Sequence, residues 1–310
     1  MSEPKAVPRD WWRKSSGAVT GIGSLPFADA HTAIDFVAEV CPGLPFCPQP
    51  PAVNLVEVTL GQFDEPGAGQ HSTLEQFARA ALAGAFPTAL ALKTQVTGPI
   101  TLAGLLGDIR SADKVAALAA KVAHVATEQV RTLAAVGLPV LVFVDEPALV
   151  LAEPTEARRL LATVFAAIDA AGGLSGIHCC ASLAPGLPGL MGSCAVSFDA
   201  TTDLVPDDDD LNVLNDPRRL VSFGLFGVSG PAEPARSAFS RWLATAAHVD
   251  DPGSLACRSV LTPSCGLGSS TVNEAEDAFR VAAEVSELVA TVSLESEPWP
   301  ARIGRLVADD

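Results

Sequence analysis

Pro139-Val-Leu-Val-Phe-Val-Asp-Glu-Pro147 is a short apolar run closed by two carboxylates and a proline. Its length suits a strand buried on both faces, and the proline biases the residue before it away from continuing the element. On either side lie Ala-rich stretches of helical period, residues 111–136 and 155–171. Helix, strand and helix with short joints is the unit of an α/β fold built on a parallel sheet. The same alternation recurs outward in both directions. Runs at 18–23, 53–59, 89–96, 174–180, 195–199, 221–228 and 259–262 read as strands, and stretches at 31–40, 72–85, 183–191, 217–220, 231–247 and 272–292 as helices. Ser72-Thr-Leu-Glu75 and Thr271-Val-Asn-Glu274 fit capping boxes, in which side chains satisfy the orphan amides of a helix start. Eight strands, mostly followed by helices, give an α/β fold of the single (β/α)₈ TIM barrel type. A doubly wound sheet competes, but no G-x-G-x-x-G turn follows the first strand. Residues 1–16 read as an N-terminal tail and 17–310 as the barrel, and the aspartates of 207–210 as a solvated loop, since they lack EF-hand spacing.

Composition narrows the function. Of the 310 residues, 48% are hydrophobic and 18% charged, with a mean hydropathy of +0.32, which excludes a disordered chain. The greasiest stretch, 133–152, is interrupted by Gly137, Pro139, Asp145, Glu146 and Pro147, so no membrane span is expected. A formal net charge of −16 argues against nucleic acid and anionic membranes as partners. Seven scattered cysteines and no secretory signal point to reduced thiols in a soluble cytoplasmic protein.

The polar residues that close the strands carry the chemistry. Ser24 follows the first strand, Asp145 and Glu146 the fourth, Asp199 ends the sixth, Ser229 follows the seventh and Cys265 the eighth. In a barrel that rim is where active sites form. His178-Cys-Cys180 is the sharpest local feature, because residues two apart on a strand share a face. His178 and Cys180 then aim together while Cys179 turns away. Imidazole and thiolate suit zinc, with Cys265 as a third ligand and Asp199 as an oxygen ligand; buried structural cysteines are the other reading. Cys41, Cys47, Cys194 and Cys257 are expected to pack, and His31, His71, His124 and His248 to lie on helix faces or starts. The pair Asp145-Glu146 suits either a substrate ammonium group or the cap of a helix.

Five motifs in order carry a resemblance: Gly21-Ile-Gly-Ser-Leu-Pro26, Thr97-Gly-Pro-Ile-Thr101, Val144-Asp-Glu-Pro-Ala-Leu149, Ile177-His-Cys-Cys180 and Thr262-Pro-Ser-Cys-Gly-Leu267. Over roughly residues 18 to 290 the chain resembles the C-terminal catalytic domain of cobalamin-independent methionine synthase, within the uroporphyrinogen-decarboxylase-like group. The resemblance implies a (β/α)₈ barrel in which Zn²⁺ activates the homocysteine thiol for methyl transfer. It implies His178, Cys180 and Cys265 as zinc ligands, with Asp199 where the family has a glutamate. Ile22 and Ser24 then contact homocysteine, and Asp145 holds its amino group. Leu105 and Leu151 stand where the family contacts folate, and Ser229 where it has a proton-shuttling histidine. The metal and thiol half of the site is kept and the folate half is not. A short single-barrel relative with a non-folate donor is therefore expected, methylcobalamin or a corrinoid protein for instance. Two other readings stand: an alkyltransferase for another thiol, of the coenzyme M type, and a non-catalytic barrel that binds metal or thiol.

Overall fold

The computed structural model describes residues 16–50, 70–180, 193–201, 205–228 and 233–294. Seven strands are found among them: β1 (Ala18–Val19), β2 (Leu92–Thr97), β3 (Val140–Asp145), β4 (Leu174–Cys179), β5 (Ala195–Asp199), β6 (Leu220–Phe226) and β7 (Ser259–Pro263). They form one curled parallel sheet in the order β1-β7-β6-β5-β4-β3-β2. Between the two edge strands runs the extended segment 45–49. Cys47 N donates to Lys93 O and Lys93 N to Pro45 O on the β2 side, while Gln49 N donates to Gly23 O on the other. The pairing amounts to two isolated bridges, Phe46 with Lys93 and Ser24 with Gln49. The strand expected at 53–59 and the helix at 183–191 lie outside the described residues.

The helices cover the outer face: α1 (Ala30–Val40), α2 (Gln70–Leu82), α3 (Pro99–Leu105), α4 (Ala112–Ala134), α5 (Pro154–Ala170), α6 (Asp208–Leu214), α7 (Ala235–Ala246), α8 (Pro252–Cys257) and α9 (Val272–Leu294). In α4 the buried Val115, Leu118, Ala119, Val122, Ala126, Val130 and Leu133 recur every three to four residues, which turns one apolar stripe to the sheet. Thr271 and Glu274 form the expected capping box of α9: Thr271 Oγ1 accepts from Glu274 N, and Glu274 Oε2 accepts from Thr271 N. At α2 the helix begins at Gln70, so Ser72 sits inside its first turn and not at its cap.

Three local expectations need correction. The aspartate run is not a loop: Asp207 caps α6, its Oδ1 accepting from Asp210 N, and the acids that follow fill the first turn, where the helix dipole favours negative charge. The short helix expected at 217–220 is absent; Leu220 opens β6. And α3 and α8 arise where no helix was expected, each with proline in its first turn.

Two buried clusters divide the interior. The larger fills the space between sheet and helices. The smaller lies inside the curl, with Leu44, Ala91, Leu141, Phe143, Leu174, Ala195, Leu220 and Val260. Apart from Leu44, which lies in no strand, and Phe143 midway along β3, those residues sit at or near the starts of their strands. Two and four residues further along the same faces the side chains become polar: Lys93 and Gln95, Asp145, His178, Ser197, Ser222 and Thr262. The sheet is therefore apolar at its N-terminal end and polar at the rim. No described helix is long and apolar enough to cross a membrane.

Candidate active site

His178, Cys180 and Cys265 meet at the rim. His178 Nε2 lies 3.1 Å from Cys180 Sγ, and Cys180 Sγ lies 3.1 Å from Cys265 Sγ. The first two come from the end of β4 and the third from the loop after β7, so parts of the curled sheet separated by β5 and β6 converge across 85 positions of sequence. On the far side of the imidazole, His178 Nδ1 is 3.0 Å from the buried Ser197 Oγ on β5. With Nδ1–H donating there, Nε2 turns its lone pair to the thiols. Cys179 is fully buried in the cluster between sheet and helices, on the opposite face. The two thiols are coupled. The hydrogen bond shared with Cys180 pulls Cys265 well below the ordinary thiol value, and the same sharing holds Cys180 above it.

The carboxylates divide their roles. Glu146 accepts from Ile100 N at 2.9 Å, Thr101 N at 2.8 Å and Thr101 Oγ1 at 2.7 Å, so it caps the N-terminus of α3, an element that precedes it in the chain. Burial still lifts its carboxyl to about 7. Asp145 is different. Its residue keeps some surface, but its Oδ1 is sealed from solvent with no hydrogen-bond partner among the described residues. Burial lifts this carboxyl to about 6, against the pull of His178 and Lys93. A sealed acceptor with nothing to accept from is costly unless a ligand supplies the donor. Asp199 stands apart from the thiols' contacts, its Oδ1 accepting from Thr201 N and Thr201 Oγ1 in a turn after β5.

Ile22 and Ser24 lie in the loop that follows β1. Ser24 O accepts from Leu267 N at 2.9 Å and Ser24 Oγ from Gly268 N at 3.2 Å, so this loop braces the one that carries Cys265. Ser229 lies outside the described residues. Among those residues no set of three or more His, Cys, Asp or Glu side chains already stands at metal-holding spacing.

Residues 72–288 match the family model described as the catalytic domain of cobalamin-independent synthase. The chain belongs to that family. The cobalamin-independent synthase match spans well over half of the chain and includes four of the five motifs, all but the one at Gly21. Among solved structures, the chain is similar to a B12-independent methionine synthase from Shewanella sp. W3-18-1 in complex with selenomethionine. That likeness has a TM-score of 0.52 and 18% identity, and covers 69% of this chain and 67% of that one. An endo-beta-1,4-mannanase double mutant from Cellulomonas fimi gives a TM-score of 0.51 at 16% identity, covering 94% and 79%. At such identities both likenesses speak for the fold. No curated protein matches significantly.

Within this cobalamin-independent synthase domain, sequence reasoning missed Ser197, Lys93 and Gln95, and left the role of Glu146 undecided. Ser197 carries no local signal in the sequence, yet it pairs with His178 across β4 and β5 and its Oγ meets the imidazole. Lys93 and Gln95 were absorbed into an apolar run, although a lysine buried to 2% exposure in a strand signals a site by itself. Glu146 was left open between ligand and cap, because its partners lie 45 and 46 residues upstream.

Proposed function

We propose that this chain is a methionine-synthase-like thiol methyltransferase, closed as a (β/α)₈ barrel with residues 45–49 in the eighth place, that moves a methyl group to the thiol of homocysteine. The observation that carries the reading is the meeting of His178 Nε2, Cys180 Sγ and Cys265 Sγ beside a sealed, unpartnered Asp145 Oδ1. Zinc is the ion that a nitrogen and two sulfurs suit. Ligand atoms across tetrahedral zinc stand roughly 3.5–3.8 Å apart, so these three would have to spread by about half an ångström. Ser197 supports the fit by fixing the imidazole.

Zinc bound there supplies deprotonation of the substrate thiol, which is otherwise only a few per cent thiolate at neutral pH. The remaining work belongs to the chain. Asp145 receives the substrate ammonium, which gives its sealed oxygen a donor. The loop at Ile22 and Ser24 orients the amino-acid end, so that thiol and methyl carbon lie in line. Asp199 supplies a further carboxylate only by leaving its turn with Thr201. Ser229 takes the place of a proton-moving residue in the family pattern. A buried carboxylate with no donor favours an amino-acid thiol over a coenzyme M-type thiol, which has no ammonium to offer.

The donor follows from what the rim lacks. Leu105 and Leu151 are 54% and 67% exposed, and Leu106 and Val150 beside them are exposed too. An aliphatic surface offers no π face for a pterin and no acceptor for its ring nitrogens. A simpler donor, methylcobalamin or a corrinoid protein, fits such a rim, a departure from the cobalamin independence for which the family is named. The test gives zinc-loaded protein homocysteine with each donor in turn and measures methionine. Methylcobalamin is expected to support turnover and methyltetrahydrofolate to support little. Efficient turnover with the folate overturns the donor assignment, and no methionine with any donor favours a non-catalytic thiol-binding barrel. Asp145→Asn should raise the homocysteine KM about 10–100-fold, the worth of one charged hydrogen bond. An unchanged KM removes Asp145 from the binding role.

A further inference from the structure

Lys93 lies inside the curl with 2% of its surface exposed, one position after the apolar start of β2. Its Nζ donates to Ile22 O at 2.7 Å and stands 3.4 Å from Gln95 Oε1. The rings of Phe143 and Phe46 flank it, with centroids 5.0 and 5.9 Å from Nζ. Gln95, two residues along the same face, donates through Nε2 to Cys47 O at 2.9 Å. Burial pulls the lysine down to about 8, and the nearby Asp145 carboxylate holds it up. A buried lysine that serves only packing is rare, since an apolar side chain of equal length fills the space at lower cost.

What it touches explains its presence. Strand β1 ends at Val19, so the ladder does not hold residues 20–24. Thr20 N still donates to Leu261 O, and Gln49 N to Gly23 O, but the Ile22 carbonyl is held from below by the ammonium alone among the contacts described. That carbonyl belongs to the same peptide as the Gly23 amide. Donation to one end of a peptide strengthens the N–H at the other. Gly23 also packs directly on Gln95: a Cβ there would come within 2.7 Å of Gln95 Nε2. Ser24, one residue on, braces the Cys265 loop through Leu267 N and Gly268 N.

We propose that Lys93 is a positioning residue for the amino-acid end of the thiol substrate, setting the 22–24 loop from beneath through the Ile22 carbonyl and polarising the Gly23 amide toward the substrate carboxylate. The proposal rests on the thiol-binding reading given above. Lys93 touches no substrate itself. It sets a peptide that does.

The experiment compares two thiols by calorimetry on zinc-loaded protein: homocysteine, and 3-mercaptopropylamine, which has the same thiol and amine without the carboxylate. In Lys93→Met, homocysteine should bind about 10–100-fold more weakly, the effect of one charge-assisted hydrogen bond. Binding of 3-mercaptopropylamine should change by less than about threefold, and zinc content should stay at the level of the native protein. Gly23→Ala, which pushes the loop off Gln95 with Lys93 in place, should reproduce the same selective loss; it serves if Lys93→Met fails to fold. Equal weakening of both thiols in either variant, or no weakening of homocysteine, overturns the proposal. If the native protein binds neither thiol, the functional reading fails first, and that outcome is separate.

Discussion

Cys180→Ser and Cys265→Ser should each lose most of the bound zinc and about a thousandfold of turnover, roughly 4 kcal/mol of barrier, while Cys179→Ser keeps both. The contrast rests on which face each sulfur occupies. Cys180 and Cys265 lie 3.1 Å apart at the rim, whereas Cys179 is buried between sheet and helices. A hydroxyl has nearly the shape of a thiol but stays protonated at neutral pH, so it gives the ion no anionic donor. Metal analysis of the purified variants and methionine formation are the readouts, with thermal melting to show that each variant folds. Ser197→Ala should fall between, losing about 10–100-fold in zinc affinity, since it removes the acceptor that orients His178 and leaves the ligand in place. Equal zinc loss in Cys179→Ser would mean that the faces of β4 are exchanged.

Glu146→Ala should be the most destabilising single change near the site, by about 3–5 kcal/mol. It removes the acceptor of Ile100 N, Thr101 N and Thr101 Oγ1 at once, in a place where water cannot replace it. It also removes a carboxylate at a helix N-terminus. The expected fall in Tm is about 6–15 °C. Glu146→Gln should cost less, because one acceptor oxygen survives and the shape is kept. Gly98→Ala tests the same cap from the other side: its Cβ would lie 2.1 Å from Glu146 Oε1, so the carboxylate must leave the amides. A Tm for Glu146→Ala within a degree or two of the native value would show that α3 needs no such cap.

These predictions mark where sequence reasoning reached and where it stopped. Strands β2 to β7 were visible as apolar runs bounded by Gly, Pro or polar residues, and their ends placed His178, Cys180 and Cys265 before any fold was known. Residues 45–49 were not visible as a strand, because prolines at 45, 48 and 50 argue against one. The structure shows why the prolines are tolerated: the amides that the pairing uses are those of Cys47 and Gln49, and Pro45 needs only its carbonyl. Helix α3 hid for a related reason. Thr97-Gly-Pro reads as a turn, and the group that caps the helix comes from β3's far end, beyond any local window. Lys93 was swallowed by its apolar neighbours, since periodicity reports the average of a strand and not its exception.

The separation of the two thiols in the chain also bears on how the protein is made. His178 and Cys180 leave the ribosome together, but Cys265 follows 85 residues later, on the loop after the last strand. At about 5–20 residues per second that is an interval of several seconds in which the nascent chain holds only two of its three donors. The loop that carries the third is braced by Ser24, which emerges 244 residues before its partner Gly268. Segments made far apart in time must therefore meet before the three donors stand together. Assembly of the centre therefore waits on synthesis through the Cys265 loop: a chain cut short before β7 lacks that thiol and the segment that carries it.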